Sequence, residues 1–288
     1  MAMVMNAFVV SDGAAGEPPA GRDHEEIGLG LVAAVSDRGL RHERNEDAVA
    51  LATVDTADGP VVISVVCDGV SSADRPDEAS LAAVNAAVQT LAAAVQDGVD
   101  PAEGAEQAVA AARAAVDELA DGSTDTPAAT YVSAVMAGDT VTLCWMGDSR
   151  AYWLDSTPDP AAQLLTRDDS LAEEMVAQGL LHESEALESP QAHVVTRWIG
   201  AGAREAYPHV AQFTPPGPGA LMLCSDGLWN YDPDGGKLAV IGLPGALTEP
   251  GVAAALMVNY AVEAGGLDNI TVAITPYPVG SPAEPDGD

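Results

Sequence analysis

The chain has 288 residues, 48% of them hydrophobic, and carries 44 acidic against 11 basic residues for a net charge of −33. A surface this negative repels DNA, RNA and anionic lipid, which excludes nucleic-acid and membrane-surface binding from the expected functions. The longest apolar runs, residues 61–67 and 141–146, fall far short of the roughly 20 residues of a membrane span, so one domain in water, acting as a monomer, is expected.

Residues 1–26 open on an apolar stretch without basic residues before it or an export cleavage context after it. They continue in Gly, Pro, Ala and Glu, a composition that predicts a disordered tail. The single folded domain is expected over 27–275. Short apolar runs at 28–35, 48–53 and 61–67 predict strands between Asp, Gly and Asn punctuation. Two Ala-rich segments, 77–96 and 101–120, predict an antiparallel helix pair, with Pro101 in a first turn and Gly98 and Gly122 near the ends. Strands resume at 129–137 and 140–146 around Gly138-Asp139, a dipeptide suited to a tight hairpin, and at 151–154. A helix at 171–178, strands at 194–199 and 220–224, a helix at 252–264 and a strand at 270–275 complete the domain. Residues 276–288 predict an acidic disordered tail. Strands and helices in separate runs indicate an α+β fold with largely antiparallel sheets. Cys67, Cys144 and Cys224 each sit in a strand-like run without a Cys-x-x-Cys pair, which predicts buried free thiols and a cytoplasmic location.

Three times an apolar strand ends in an acid beside glycine: Cys67-Asp68-Gly69, Met146-Gly147-Asp148 and Ser225-Asp226-Gly227. A fourth acid, Asp268, precedes Asn269 and the last strand. Singly, such Asp-Gly turns are most often purely conformational. Together, on strands expected to pair, they bring carboxylates to neighbouring strand ends, and Glu46-Asp47 at the start of another strand makes six acids. Anions clustered at the edge of an apolar core repel and lose hydration, so they need protons or cations. With few basic residues nearby, hard divalent cations bound through oxygen, Mn²⁺ or Mg²⁺, are the natural counter-ions. Glycine at position 69 lets a backbone carbonyl approach a metal.

The ordered set Arg44-Asn45-Glu46-Asp47, Asp68-Gly69, Gly147-Asp148-Ser149-Arg150, Leu165-Thr166-Arg167-Asp168-Asp169-Ser170, Cys224-Ser225-Asp226-Gly227-Leu228 and Asp268-Asn269-Ile270-Thr271-Val272 resembles the bacterial type 2C, or PPM, serine/threonine protein phosphatases. The resemblance spans nearly all of the expected domain. It implies a central sandwich of two antiparallel β-sheets flanked by helix pairs, with a helical flap at about 168–200. It further implies hydrolysis of phosphoserine and phosphothreonine in proteins by a water bridging two divalent cations, opposing Ser/Thr kinases in signalling. Asp68 would bridge the two metals, the Gly69 carbonyl would bind one, and Asp226 and Asp268 would complete the other. Glu46 and Asp47 would act at or just behind these, and Asp148 with Asp226 would hold a weaker third ion. Asp47, Asp68, Asp226 and Asp268 are thus the expected catalytic set.

The chain departs from the family pattern at two places. The arginine that grips substrate phosphate in many relatives aligns with His42, leaving Arg44, Arg41 and His42 as candidates. Arg44 is preferred, since two residues before Glu46 it shares a face in an extended segment. Val70-Ser71-Ser72 follows Asp68-Gly69, so no histidine acid stands there. His193 falls where some relatives place a serine at the third metal, although a lone histidine is more often structural. The spacing Cys144-x₅-Arg150 matches cysteine-dependent phosphatases, but a strand follows it rather than the helix N-terminus such a thiolate needs. A non-catalytic regulatory domain of the same fold that binds a phosphorylated partner is the alternative reading.

Overall fold

Side-chain alternation along the strands decides the architecture. The structure, a computed structural model, describes residues 5–10, 23–120, 122, 126–157, 160–200 and 207–279. The elements run β1 (Met5–Val10), β2 (His24–Gly28), β3 (Ala33–Asp37), β4 (Asp47–Thr56), β5 (Gly59–Asp68), then helices α1 (Pro76–Asp97) and α2 (Pro101–Asp117). Next come β6 (Ala128–Ala129), β7 (Tyr131–Ala137), β8 (Thr140–Met146), β9 (Arg150–Asp155), β10 (Ala161–Leu164), α3 (Leu171–Ala177) and α4 (Glu183–Ala186). The chain continues through β11 (Ile199–Gly200), β12 (His209–Phe213), β13 (Gly219–Cys224), α5 (Asp226–Trp229), α6 (Gly236–Ala246), α7 (Pro250–Glu263) and β14 (Ile270–Tyr277).

Two six-stranded sheets form, in the orders β1-β4-β5-β7-β8-β12 and β10-β9-β13-β14-β3-β2, and their pairings are antiparallel. On β4, Ala48, Ala50, Ala52 and Val54 pack toward α1 and α2, whereas Val49 and Leu51 point into the space between the sheets. On β13, Ala220, Met222 and Cys224 meet the layer of α5, α6 and α7, whereas Leu221 and Leu223 face the other sheet. Successive side chains of a strand take opposite faces, so the central strands of each sheet are covered on both sides and read as unbroken apolar runs. The α+β sandwich flanked by helices is therefore the observed fold. Helix α1 has the length and apolar character of a membrane span, yet its apolar side packs on α2 and the first sheet.

Several expectations are corrected. Residues 5–10 and 24–26, assigned to a disordered tail, belong to strands: β1 extends the first sheet by pairing with β4, and β2 forms the edge of the second. An edge strand needs a partner more than a local signal, and the charged start of β2, His24-Glu25-Glu26, masks it. The single strand expected at 28–35 is a hairpin, β2 and β3. Within 194–199, strand begins only at Ile199, and β14 continues two residues past 275. Strands β10 and β12 and helices α4, α5 and α6 carry too little periodicity to be read from sequence. The remainder of the tails, 1–4, 11–22 and 280–288, lies outside the described residues.

Candidate active site

The alternation that builds the sandwich also aims the acids. Asp47 opens β4 and Asp68 closes β5, directly opposite each other in the ladder. Both follow the parity of residues that point between the sheets, so both carboxylates sit at one end of the sandwich. From the second sheet, Asp226 enters at the start of α5, just after β13, and Asp268 in the turn before β14. Asp148 lies between β8 and β9 and is buried.

The electrostatics follow from this convergence. Burial, then the charges of Asp47, Asp226, Asp148 and Asp268, push the Asp68 carboxyl well above its ordinary range. Burial raises Asp47 to about 7, with Ser225 and Thr271 pulling it back and Asp268 and Asp226 adding to the rise. Asp226 is also raised to about 7, by burial and then by Asp268. Asp148 is raised by burial and by Asp226 and Asp168. Asp47 Oδ1 and Asp226 Oδ1 are buried without a hydrogen-bond partner. Among the described residues no three His, Cys, Asp or Glu side chains already close on one point as ligands. Nevertheless, hard oxygens with unpartnered lone pairs and mutual repulsion are the donor set that divalent cations fit.

Neighbouring groups hold these acids in place. Ser225 Oγ donates to Asp47 Oδ2 at 2.7 Å while accepting from Thr271 N at 3.0 Å. Thr130 Oγ1 accepts from Asp68 N at 3.1 Å, and Thr130 N donates to Asp68 O at 2.8 Å. Gly69 N donates to Glu46 O at 3.0 Å. A Cβ at Gly69 would overlap the carbonyls of Pro76 and Glu46, so this position must be glycine. Glu46 is buried, and its Oε2 accepts from Ser71 Oγ at 2.6 Å. Asn269 donates to Arg38 O at 2.9 Å and Arg44 O at 3.1 Å and accepts from Glu46 N at 2.8 Å, stitching the turn before β4 to the turn before β14. Ser225 and Asn269 stand in the motifs already quoted and Thr130 does not, and the supporting roles of all three depend on contacts between residues far apart in the chain.

The basic candidates separate. His42 Nε2 lies 3.0 Å from Asp268 Oδ1. Arg44 is shared between Glu46, at 3.4 Å, and Asp77, at 3.1 Å. Arg41 is exposed and enters no ion pair among the described residues. His193 is exposed and stacks on Trp229 with ring centroids 6.1 Å apart, and Trp229 Nε1 donates to Asp148 O at 2.8 Å.

Segment 168–200 contains α3 and α4 around a small core of Ala172, Ala186 and Ala192. Two buried acids root it. Asp168 takes two parallel bonds from Arg150, at 2.9 and 2.8 Å, and Arg150 Nη1 also reaches Tyr152 Oη and Pro233 O. Although burial lowers it, the Asp168 bond raises the Arg150 pKa above its already high value. Asp169 accepts from Gly147 N at 3.1 Å and lies 2.9 Å from His209 Nε2 and 3.4 Å from Arg197 Nη1. The start of the segment is thereby tied to the loop that carries Asp148, and its far end is tied to Asp169 through Arg197 and Thr196 N. Asp168→Ala should cost about 3–5 kcal/mol in urea unfolding, because it strands a buried guanidinium. The double variant Arg150→Met/Asp168→Leu should recover much of that loss.

Cys144 is buried in β8, and burial pushes its thiol up to about 12, while Arg150 is committed to Asp168. The Cys-x₅-Arg spacing therefore does not form a thiolate site.

The family profile of protein phosphatase 2C matches residues 38–232, about two thirds of the chain and most of the acids above. The chain belongs to the protein phosphatase 2C family. It is 33% identical over 144 residues to the serine/threonine phosphatase stp of Listeria innocua, covering 50% of this chain and 54% of that protein. The chain thus spans about half the length of the curated relatives it matches. Among solved structures, it resembles the PPM Ser-Thr phosphatase MsPP of Mycobacterium smegmatis in complex with cacodylate. The TM-score is 0.64 at 27% identity, covering 84% of this chain and 96% of that one. It also resembles the catalytic domain of the phosphatase PstP in complex with two manganese ions, with TM-score 0.63 at 26% identity, covering 84% and 96%. The protein phosphatase 2C family is metal-dependent.

Proposed function

We propose that this chain is a metal-dependent protein phosphatase that hydrolyses phosphoserine and phosphothreonine in proteins phosphorylated by Ser/Thr kinases. The observation that carries the proposal is the set of buried, mutually repelling carboxylates, with Asp47 Oδ1 and Asp226 Oδ1 unpartnered, at the end of a sandwich of this family. Asp68, the Gly69 carbonyl, Asp226 and Asp268 would hold two divalent cations, Mn²⁺ or Mg²⁺. Asp148 with Asp226 would hold a weaker third, near His193. When bound, such ions activate water and polarise the phosphoryl group for in-line displacement. Asp47 supports from behind, its carboxylate oriented by Ser225. Glu46 is held by Ser71 and braced by Arg44. Of the three basic candidates, Arg41 is exposed and enters no ion pair among the described residues, which favours it over Arg44 and His42 for the substrate phosphate. Buried free thiols suit a reducing compartment, so we assign the protein to the cytoplasm.

The test is hydrolysis of a phosphothreonine peptide by metal-stripped protein, with and without Mn²⁺ and with a thiol-alkylated control. Turnover that requires metal and survives alkylation is expected. Mn²⁺ uptake with no turnover on several phosphopeptides would replace this reading with a regulatory module that binds a phosphorylated partner.

A further inference from the structure

We propose that His42 is a positioning residue for the carboxylate of Asp268 and does not bind substrate phosphate. The proposal rests on the metal-site reading of Asp268 given above. Asp268 lies on a turn with its side chain 43% exposed, so packing does not fix its rotamer. Its Oδ1 instead meets two groups, Asn269 N donating at 2.8 Å and His42 Nε2 at 3.0 Å. With Nε2 carrying the proton, Oδ1 is held from two sides, and Oδ2 takes part in neither contact. A histidine that fixes a ligating carboxylate lowers the ordering cost of binding and orients the ligand, as outer partners do at metal sites generally.

The backbone makes this a built contact. Leu40 N donates to Gly266 O at 2.8 Å, and Asn269 binds the carbonyls of Arg38 and Arg44 on either side of His42. A Cβ at Gly39, which has φ +72°, would overlap the Asp268 carbonyl, so the turn bearing His42 lies directly against the turn bearing Asp268. A phosphate approaching Nε2 would have to displace the Asp268 carboxylate. Phosphate contact is therefore left to Arg41 or Arg44.

Mn²⁺ titration of metal-stripped protein by calorimetry tests the idea, with steady-state kinetics at saturating Mn²⁺ on a phosphothreonine peptide. His42→Ala should weaken one Mn²⁺ site by about tenfold or more and leave KM unchanged once metal is saturating. His42→Gln, whose amide can donate, should restore most of the affinity, which a loss of mere bulk would not explain. An unchanged Mn²⁺ isotherm in His42→Ala, with a raised KM, would overturn the proposal and return His42 to the phosphate. If the wild-type protein takes up no Mn²⁺, the metal-site reading itself falls and this assignment with it.

Discussion

Asp68→Asn is expected to reduce Mn²⁺-dependent phosphopeptide hydrolysis by about a thousandfold or more, without destabilising the metal-free protein. Asp68 is the acid on which most of the others converge electrostatically, since Asp47, Asp226, Asp148 and Asp268 all bear on it. Under the proposed function Asp68 would serve two cations, and asparagine would lose the charge and offer an NH2 where one of the two oxygens stood. Metal activation supplies several kcal/mol, and each 1.36 kcal/mol is tenfold in rate. Asparagine is nearly isosteric and neutral, so the variant relieves repulsion in a buried cluster. Thermal unfolding in chelator should therefore show a midpoint equal to or above that of wild type. Retained turnover in Asp68→Asn would sink the proposed mechanism, and a large fall in the chelated midpoint would show that Asp68 serves mainly to hold the fold.

The second large effect is on pH dependence. Asp47 and Asp226 are raised from 3.8 to about 7 in the folded protein, with Asp68 and Asp148 also raised. Between the unfolded and folded values the native state binds more protons, so unfolding free energy falls as pH rises. This stability is fully present below about pH 4 and is lost as pH rises through about 7. For the cluster the loss is on the order of several kcal/mol. Metal-stripped protein should accordingly unfold more easily at pH 8 than at pH 5, and Mn²⁺ should restore stability at pH 8 while adding little at pH 5. The net charge of −33 acts in the same direction through surface repulsion, but high salt screens exposed charges far better than buried ones. A slope that persists in salt and flattens in Asp47→Asn is expected. A profile that is flat in salt would assign the effect to the surface alone.

Local sequence determined a good deal. Apolar runs ending in Asp68, Asp148 and Asp226 specify strands with an acid at the end, since an acid cannot continue into the core and glycine permits the turn beside it. Helices α1 and α2 are legible because alanine-rich periodicity, Pro101 and Gly98 are short-range signals. The covered faces of both sheets are legible in the uninterrupted apolar runs. Tertiary structure alone decided the rest, where one residue's role is set by another far along the chain. Strand β1 is ordered by the open edge of β4, 40 residues away or more, and carries little signal of its own. Asn269 joins turns more than 200 residues apart, and Ser225 reaches Asp47 across 178. In sequence His42 and Arg44 are both candidates for the phosphate, with Arg44 preferred, yet one meets Asp268 and the other Glu46 and Asp77. The physical reason is common to all of these. Periodicity and turn chemistry act over a few residues and are written locally, whereas the partner of a hydrogen bond or a charge is chosen by which sheet ends the packed sandwich brings together.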